Sequence, residues 1–123
     1  MFSNVRAAAA ACDVLREHAL ATAMLVYAYC VMPDHVHLVL GPSESCDIVT
    51  FVGQFKNLAQ RALWELGVRG KVWQRSFFDH FLRADEQVGT VVDYVLDNPV
   101  RAGLVASRYE YPFSGSPVFE IDA

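Results

Sequence analysis

The stretch Val31-Met32-Pro33-Asp34-His35-Val36-His37-Leu38-Val39-Leu40 limits this chain's folding more than any other. Its β-branched and leucine side chains favour extended structure. In a strand, residues i and i+2 point to one face. His35 and His37 then share a face, with Val36, Leu38 and Leu40 on the other. Two imidazoles side by side on a rigid strand make half of a divalent-metal site. Ordinary strand histidines give the same pattern, so the pair alone leaves both readings open. His-x-His also occurs at strand ends in metal-dependent hydrolase barrels. That fold takes roughly 250 residues, and this chain has 123.

The rest of the chain supplies elements to pack around that strand. Residues 4–21 read as a helix, with Val5, Ala8, Cys12, Leu15 and Ala19 recurring at three and four. Residues 23–32 read as a strand, Pro33-Asp34 as a turn and 35–41 as the return strand of a hairpin. After a Gly-Pro-Ser loop, Ser45 or Asp47 can cap a helix over about 47–66. Its apolar stripe is Ile48, Phe51, Val52, Phe55, Leu58, Ala59, Ala62, Leu63 and Leu66, and Gly67 ends it. A third strand follows at 77–83. A third helix runs over about 85–97 and stops before Pro99. The tail from Arg108 reads as packed coil. The order helix, strand, strand, helix, strand, helix predicts an α+β fold. It is a ferredoxin-like antiparallel sheet of the βαββαβ type, helices on one face, its first strand missing.

Composition narrows the class. The chain is 54% hydrophobic and 20% charged, which suits one globular domain over residues 1–123. The nearly apolar run 19–33 is shorter than the roughly 20 residues a membrane span needs. Three scattered cysteines without a Cys-x-x-Cys pair suggest reduced thiols in a cytoplasm and no zinc framework. The net charge of −4 argues against nucleic acid when read globally. Its distribution argues otherwise: Lys56, Arg61, Arg69, Lys71, Arg75 and Arg83 face only Glu65 and Asp79 within the same segment. A solvated helix face produces a similar pattern.

The third helix bears on the histidines. Val88, Val91, Val92, Val95 and Leu96 define its buried arc. Tyr94 falls outside that arc, and Asn98 sits one turn above it. A tyrosine and an amide on one side stripe can face a site together, Tyr94 as nucleophile and Asn98 as a third metal ligand through its carbonyl oxygen. Tyr94 can equally be a tyrosine at the core edge.

Four co-linear segments carry a resemblance: 31–40, Val-Trp-Gln-Arg-Ser-Phe at 72–77, Asp-His-Phe-Leu-Arg at 79–83, and Tyr-Val-Leu-Asp-Asn-Pro-Val-Arg-Ala-Gly-Leu-Val at 94–105. Together they resemble the IS200-type Y1 transposases, most closely the REP-associated tyrosine transposase branch. The resemblance covers roughly residues 5–114. It implies that His35 and His37, with Asn98, hold Mg²⁺ or Mn²⁺. It also implies that Tyr94 attacks a phosphodiester of hairpin-bearing single-stranded DNA, leaving a 5′-phosphotyrosine and a free 3′-OH. Lys56, Arg61, Arg69, Lys71 and Arg75 then become candidate phosphate contacts, with Arg101 and Arg108 following the tyrosine helix. Asp79 and His80 alternate to opposite faces and read as structural or DNA-facing. A homodimer is possible, since IS200 relatives act as dimers.

Relatives place a strand before the first helix, whereas this chain opens almost directly on that helix. The expected consequence is a His35–Leu40 strand lacking one neighbour and a gap beside 77–83. Asp34 stands where many relatives have asparagine. Two further readings stay open beside the transposase: a non-catalytic hairpin-DNA-binding remnant, and a small unrelated metal hydrolase.

Overall fold

Alanine dominates the first helix, and its small side chains let that helix approach a sheet closely. In the computed structural model, which describes residues 5–32, 35–41, 47–67, 77–81, 88–117 and 121–122, helix α1 spans Val5–Thr22. Ala7, Ala8 and Ala11 are fully buried, with Leu15 and Cys12 continuing the stripe. Strand β1 (Leu25–Val31) and strand β2 (Val36–Gly41) form the expected hairpin, closed by Met32 N–H donating to the His35 carbonyl at 2.8 Å. A Cβ at Gly41 would lie 2.4 Å from the Tyr27 ring, so any larger residue there requires that ring to move.

Helix α2 (Ile48–Glu65) starts at Asp47, whose carboxylate accepts from the Thr50 N–H at 2.8 Å, a side-chain N-cap. It buries Phe51, Val52, Phe55, Ala59 and Leu63. Leu58, assigned to the stripe from its spacing, is 40% exposed. Gly67 ends the helix at φ 92°, a left-handed conformation that glycine adopts without a Cβ penalty. Helices α1 and α2 share one face of the sheet. They enclose Tyr29, Val31, Val36, Leu38 and Leu40. The Tyr29 hydroxyl, buried there, is satisfied by Arg16 of α1.

Strand β3 (Phe77–Phe81) pairs with β2 in parallel, from Val36 opposite Phe77 to Leu40 opposite Phe81. This corrects the expected gap. Helix α2 carries the chain back to start a strand in the same direction as β2, so β3 lies directly against it. Parallel pairing across a helical crossover satisfies backbone groups that would otherwise stay open. The antiparallel part of the sheet continues on the other side. The tail, expected to be coil, supplies β4 (Ser114–Ser116) against β1 and β5 (Ile121–Asp122) beyond it. The order is β3-β2-β1-β4-β5. A Ser-Gly-Ser strand has no β-branched or aromatic signal. It is held by the partner strand and by buried hydroxyls, Ser116 donating to the Tyr27 carbonyl and Ser114 to the Tyr111 carbonyl.

Helix α3 (Val88–Leu96) departs from the expectation that all helices share one face. Val92, Val95 and Leu96 pack with Ala28, Cys30, Met32, Val39 and Tyr111 on the face opposite α1 and α2. A bulge between Val26 and Ala28 switches the alternation of β1, placing Val26 and Tyr29 on one face and Ala28 and Cys30 on the other. A short helix α4 (Asn98–Arg101) follows, with Pro99 in its first turn, where a missing N–H costs no bond. Helical hydrogen bonds run through the junction: Asp97 N to Asp93 O, and Arg101 N to Asp97 O, both 3.0 Å. Tyr94 and Asn98 therefore keep their one-turn relation across the proline. Together the elements form an α+β, ferredoxin-like arrangement without its first strand among the described residues.

This packing has a measurable signature. Phe55→Ala empties a fully buried position and is expected to destabilise by about 3–5 kcal/mol. Val49→Ala, 74% exposed, should stay within about 0.5 kcal/mol. Tyr111→Phe removes a buried hydroxyl that donates to the Val31 carbonyl and should cost about 1 kcal/mol. Urea unfolding followed by circular dichroism reads all three; near-equal values for Phe55→Ala and Val49→Ala would contradict the placement of α2.

Candidate active site

Strand alternation puts the histidines where the sequence places them. Val36, Leu38 and Leu40 enter the α1/α2 core, and His37 and Val39 point to the α3 face. His35 precedes the strand and His37 follows within it, both half-buried. Their rings meet edge to face with centroids 4.7 Å apart. Burial pushes the His37 imidazole down to about 4, helped by the nearby His35 and Arg101. At neutral pH His37 is therefore uncharged, with a lone pair on one ring nitrogen.

The α3–α4 junction brings Asn98 onto the same site. Its Nδ2 lies 3.4 Å from His35 Nε2, a contact spanning 63 positions within one chain. Tyr94, one turn earlier, is 60% exposed. It is tied to Asn98 by Arg101. The Arg101 guanidinium carbon lies 3.9 Å from the Tyr94 ring centroid, and Nη2 donates to the Tyr94 carbonyl at 2.6 Å and to Asn98 Oδ1 at 3.3 Å. His35, His37, Asn98, Arg101 and Tyr94 thus form one connected group.

Among the described residues no cluster of three or more His, Cys, Asp or Glu could hold a metal. Beside the two imidazoles, the polar side chain that the structure brings against His35 is the Asn98 amide. Two imidazole nitrogens and one amide oxygen are a donor set that would suit Mn²⁺, which accepts imidazole. Cys30 is paired in register with His37, but burial pushes its thiol up to about 12, as it does that of Cys12. Both stay protonated and inert.

The basic residues divide. Lys56 and Arg61 lie on α2, across the sheet from the histidines. Arg69, Lys71 and Arg75 lie outside the described residues, as do Cys46 and the turn at 33–34. Asp79 and His80 are placed in β3 by their backbone alone. Arg108, read as a possible DNA contact, is instead an internal tie. It bonds Asp97 through Nε and Nη2, both 2.8 Å, and Asp93 through Nη1 at 3.0 Å. The two carboxylates neutralise it, and its hydrogen bond holds the Asp97 carboxyl below the usual range. Arg101 is the one cation among the described residues bonded to this site. Its link to Tyr94 was not foreseen, although spacings of three from Asn98 and seven from Tyr94 put all three along one helical stripe.

No membrane-crossing helix exists among the described residues, none being long and apolar enough. No solved structure matches the chain significantly. Curated relatives do. A Haemophilus influenzae protein assigned as a REP-associated tyrosine transposase is 29% identical over 98 residues, 71% of this chain and 56% of the relative. The REP-associated tyrosine transposase of Escherichia coli K12 is 28% identical over 89 residues, 72% of this chain and 52% of the relative. The chain thus spans about half the length of the curated relatives it matches. The family described as "Transposase IS200 like" matches residues 2–98, which include both histidines, the tyrosine and the asparagine. With that match over most of its length, this chain belongs to the IS200-like transposase family.

Proposed function

We propose that this chain cleaves and rejoins single-stranded DNA bearing a hairpin, through a 5′-phosphotyrosine on Tyr94. The observation that carries this reading is the contact between Asn98 and His35, which brings the tyrosine helix to the His-x-His strand within one chain. In the proposed step the Tyr94 phenolic oxygen attacks the scissile phosphorus. The new bond is Tyr94 O–P, the broken one is P–O3′, and the proton lost from the phenol is balanced by one gained at the 3′ oxygen. The phosphodiester energy stays in the tyrosyl ester, so the reverse attack by a 3′-OH reseals DNA without an external energy source.

His35, His37 and Asn98 would hold Mg²⁺ or Mn²⁺. Such an ion, when bound, supplies positive charge to the scissile phosphate. The chain's own residues do the rest. Strand β2 carries His37 with His35 directly before it, and the α3–α4 junction sets the distance between tyrosine and amide. The exposure of Tyr94 leaves its hydroxyl open to a strand arriving from solvent. Lys56 and Arg61, on the far side of the sheet, are suited to the flanking duplex of a hairpin. A second copy of the chain is a further candidate partner.

The test is a denaturing gel. The chain is incubated with Mn²⁺ and a pool of labelled oligonucleotides, each carrying one hairpin with randomised single-stranded flanks. A covalent adduct is expected, absent in Tyr94→Phe although that variant still binds the pool. His37→Ala should lower Mn²⁺ affinity by at least roughly tenfold, a loss of about 1.4 kcal/mol, as read by calorimetry. An adduct that persists in Tyr94→Phe would remove Tyr94 as nucleophile. Salt-sensitive binding with no adduct under any metal would make the chain a hairpin-DNA binder instead.

A further inference from the structure

Arg101 sits where three parts of the candidate site meet. Its guanidinium stacks on Tyr94 at 3.9 Å, a distance at which a cation is held by the negative face of the ring. One nitrogen, Nη2, donates both to the Tyr94 carbonyl and to Asn98 Oδ1. A guanidinium has five N–H donors in a planar fork. Nε and Nη1 make no hydrogen bond among the described residues, and the side chain is exposed. The other arginine on this face, Arg108, is neutralised by Asp93 and Asp97. Among the described residues the site therefore has one uncommitted cation, and it lies against the tyrosine.

Asn98 has a conflict that involves this same arginine. An amide ligates metal through oxygen, because its nitrogen has no lone pair to give. At present Nδ2 faces His35 and Oδ1 faces Arg101. Turning the amide brings the oxygen to the histidine side and removes it from Arg101.

We propose that Arg101 is a phosphate-binding and tyrosine-positioning residue of this site, holding the Tyr94 ring and the Asn98 amide before loading and bonding the scissile phosphate once Asn98 turns to the histidines. This rests on the reading of Tyr94, His35 and His37 given above. Arg101 has the same sign of charge as a metal ion and bonds the Asn98 oxygen that would ligate one, so without DNA it would weaken metal binding. With DNA bound, its free donors would bond the phosphate. A merely structural arginine would not reverse sign between those two conditions.

Three measurements on the full chain test this. Calorimetry with Mn²⁺ alone should show Arg101→Gln binding the ion roughly three- to tenfold more tightly than wild type. Adduct formation by the same variant should fall on the order of 100-fold, the usual loss for one donor to a developing negative charge. Arg101→Lys, which keeps the charge but loses the fork and the stack, should be intermediate. Replacing the scissile phosphate by a neutral methylphosphonate should slow wild type more than Arg101→Gln. Unchanged or weaker Mn²⁺ binding in Arg101→Gln, or equal sensitivity of both proteins to the methylphosphonate, overturns the proposal. Absence of any adduct from wild type is a failure of the cleavage reading alone; the Mn²⁺ titration still decides the exchange at Asn98.

Discussion

Strand β2 is the element on which the rest depends, because it is paired along both edges and buried on both faces. Strand β1 lies antiparallel on one side and β3 parallel on the other. Val36, Leu38 and Leu40 are sealed beneath α1 and α2, and Val39 beneath α3. A slip of one residue would turn His37 into the α1/α2 core and bring leucines to the site face. The hydrophobic register that stabilises the fold is thus the register that aims the imidazoles. His37 is positioned by the strand itself, and His35 stands immediately before its first residue.

That coupling explains what the sequence could and could not reveal. Period-two alternation at 35–41 and the apolar stripe of α2 are local signals, and the structure follows both. Gly67 closes α2 as expected, whereas Pro99, expected to stop the third helix, sits in the first turn of α4, and helical hydrogen bonds continue across the junction. The pairings of β3 and β4 are different. Each joins residues about 40 or 85 positions apart, and nothing in Ser114-Gly115-Ser116 encodes a strand except the partner waiting for it. The side of the sheet on which α3 lies was equally hidden. The two buried faces of β1 and β2 are alike in apolar content, so periodicity shows that α3 has a buried face without showing which surface receives it. The pairing of His35 with His37 and of Tyr94 with Asn98 could be read from spacing, and the structure brings the two pairs together. The role of Arg108 could not, because its carboxylate partners lie 11 and 15 positions earlier.

The electrostatics of the α3 face are organised by that arginine. Asp93 and Asp97 lie on the same helical turns as Tyr94 and Asn98, and two carboxylates beside the proposed nucleophile would repel DNA. Arg108 reaches back from the turn at 108–110 and holds both. The link also anchors the tail to the helix, and the tail in turn supplies β4 and the buried Tyr111. One residue therefore offsets part of the unfavourable charge and fastens the segment that completes the sheet. These ion pairs are partly exposed, so their stabilising energy is small. Their effect is to decide which arginine stays available, and it leaves Arg101.

The placement of α3 also bears on whether a second copy is needed. Val92, Val95 and Leu96 cover Ala28, Cys30, Met32 and Val39 of their own chain. Lifting α3 away to complete a partner's site would expose that apolar surface at about 25 cal/mol per Å². Only an identical helix from the partner could cover it again, which is a reciprocal swap of the same contacts. The short α3–α4 junction is bonded through Asp97 and Arg101, so Asn98 would have to travel with the helix and leave His35. Tyrosine, amide and histidines are consequently coupled in one chain by the same burial that folds it.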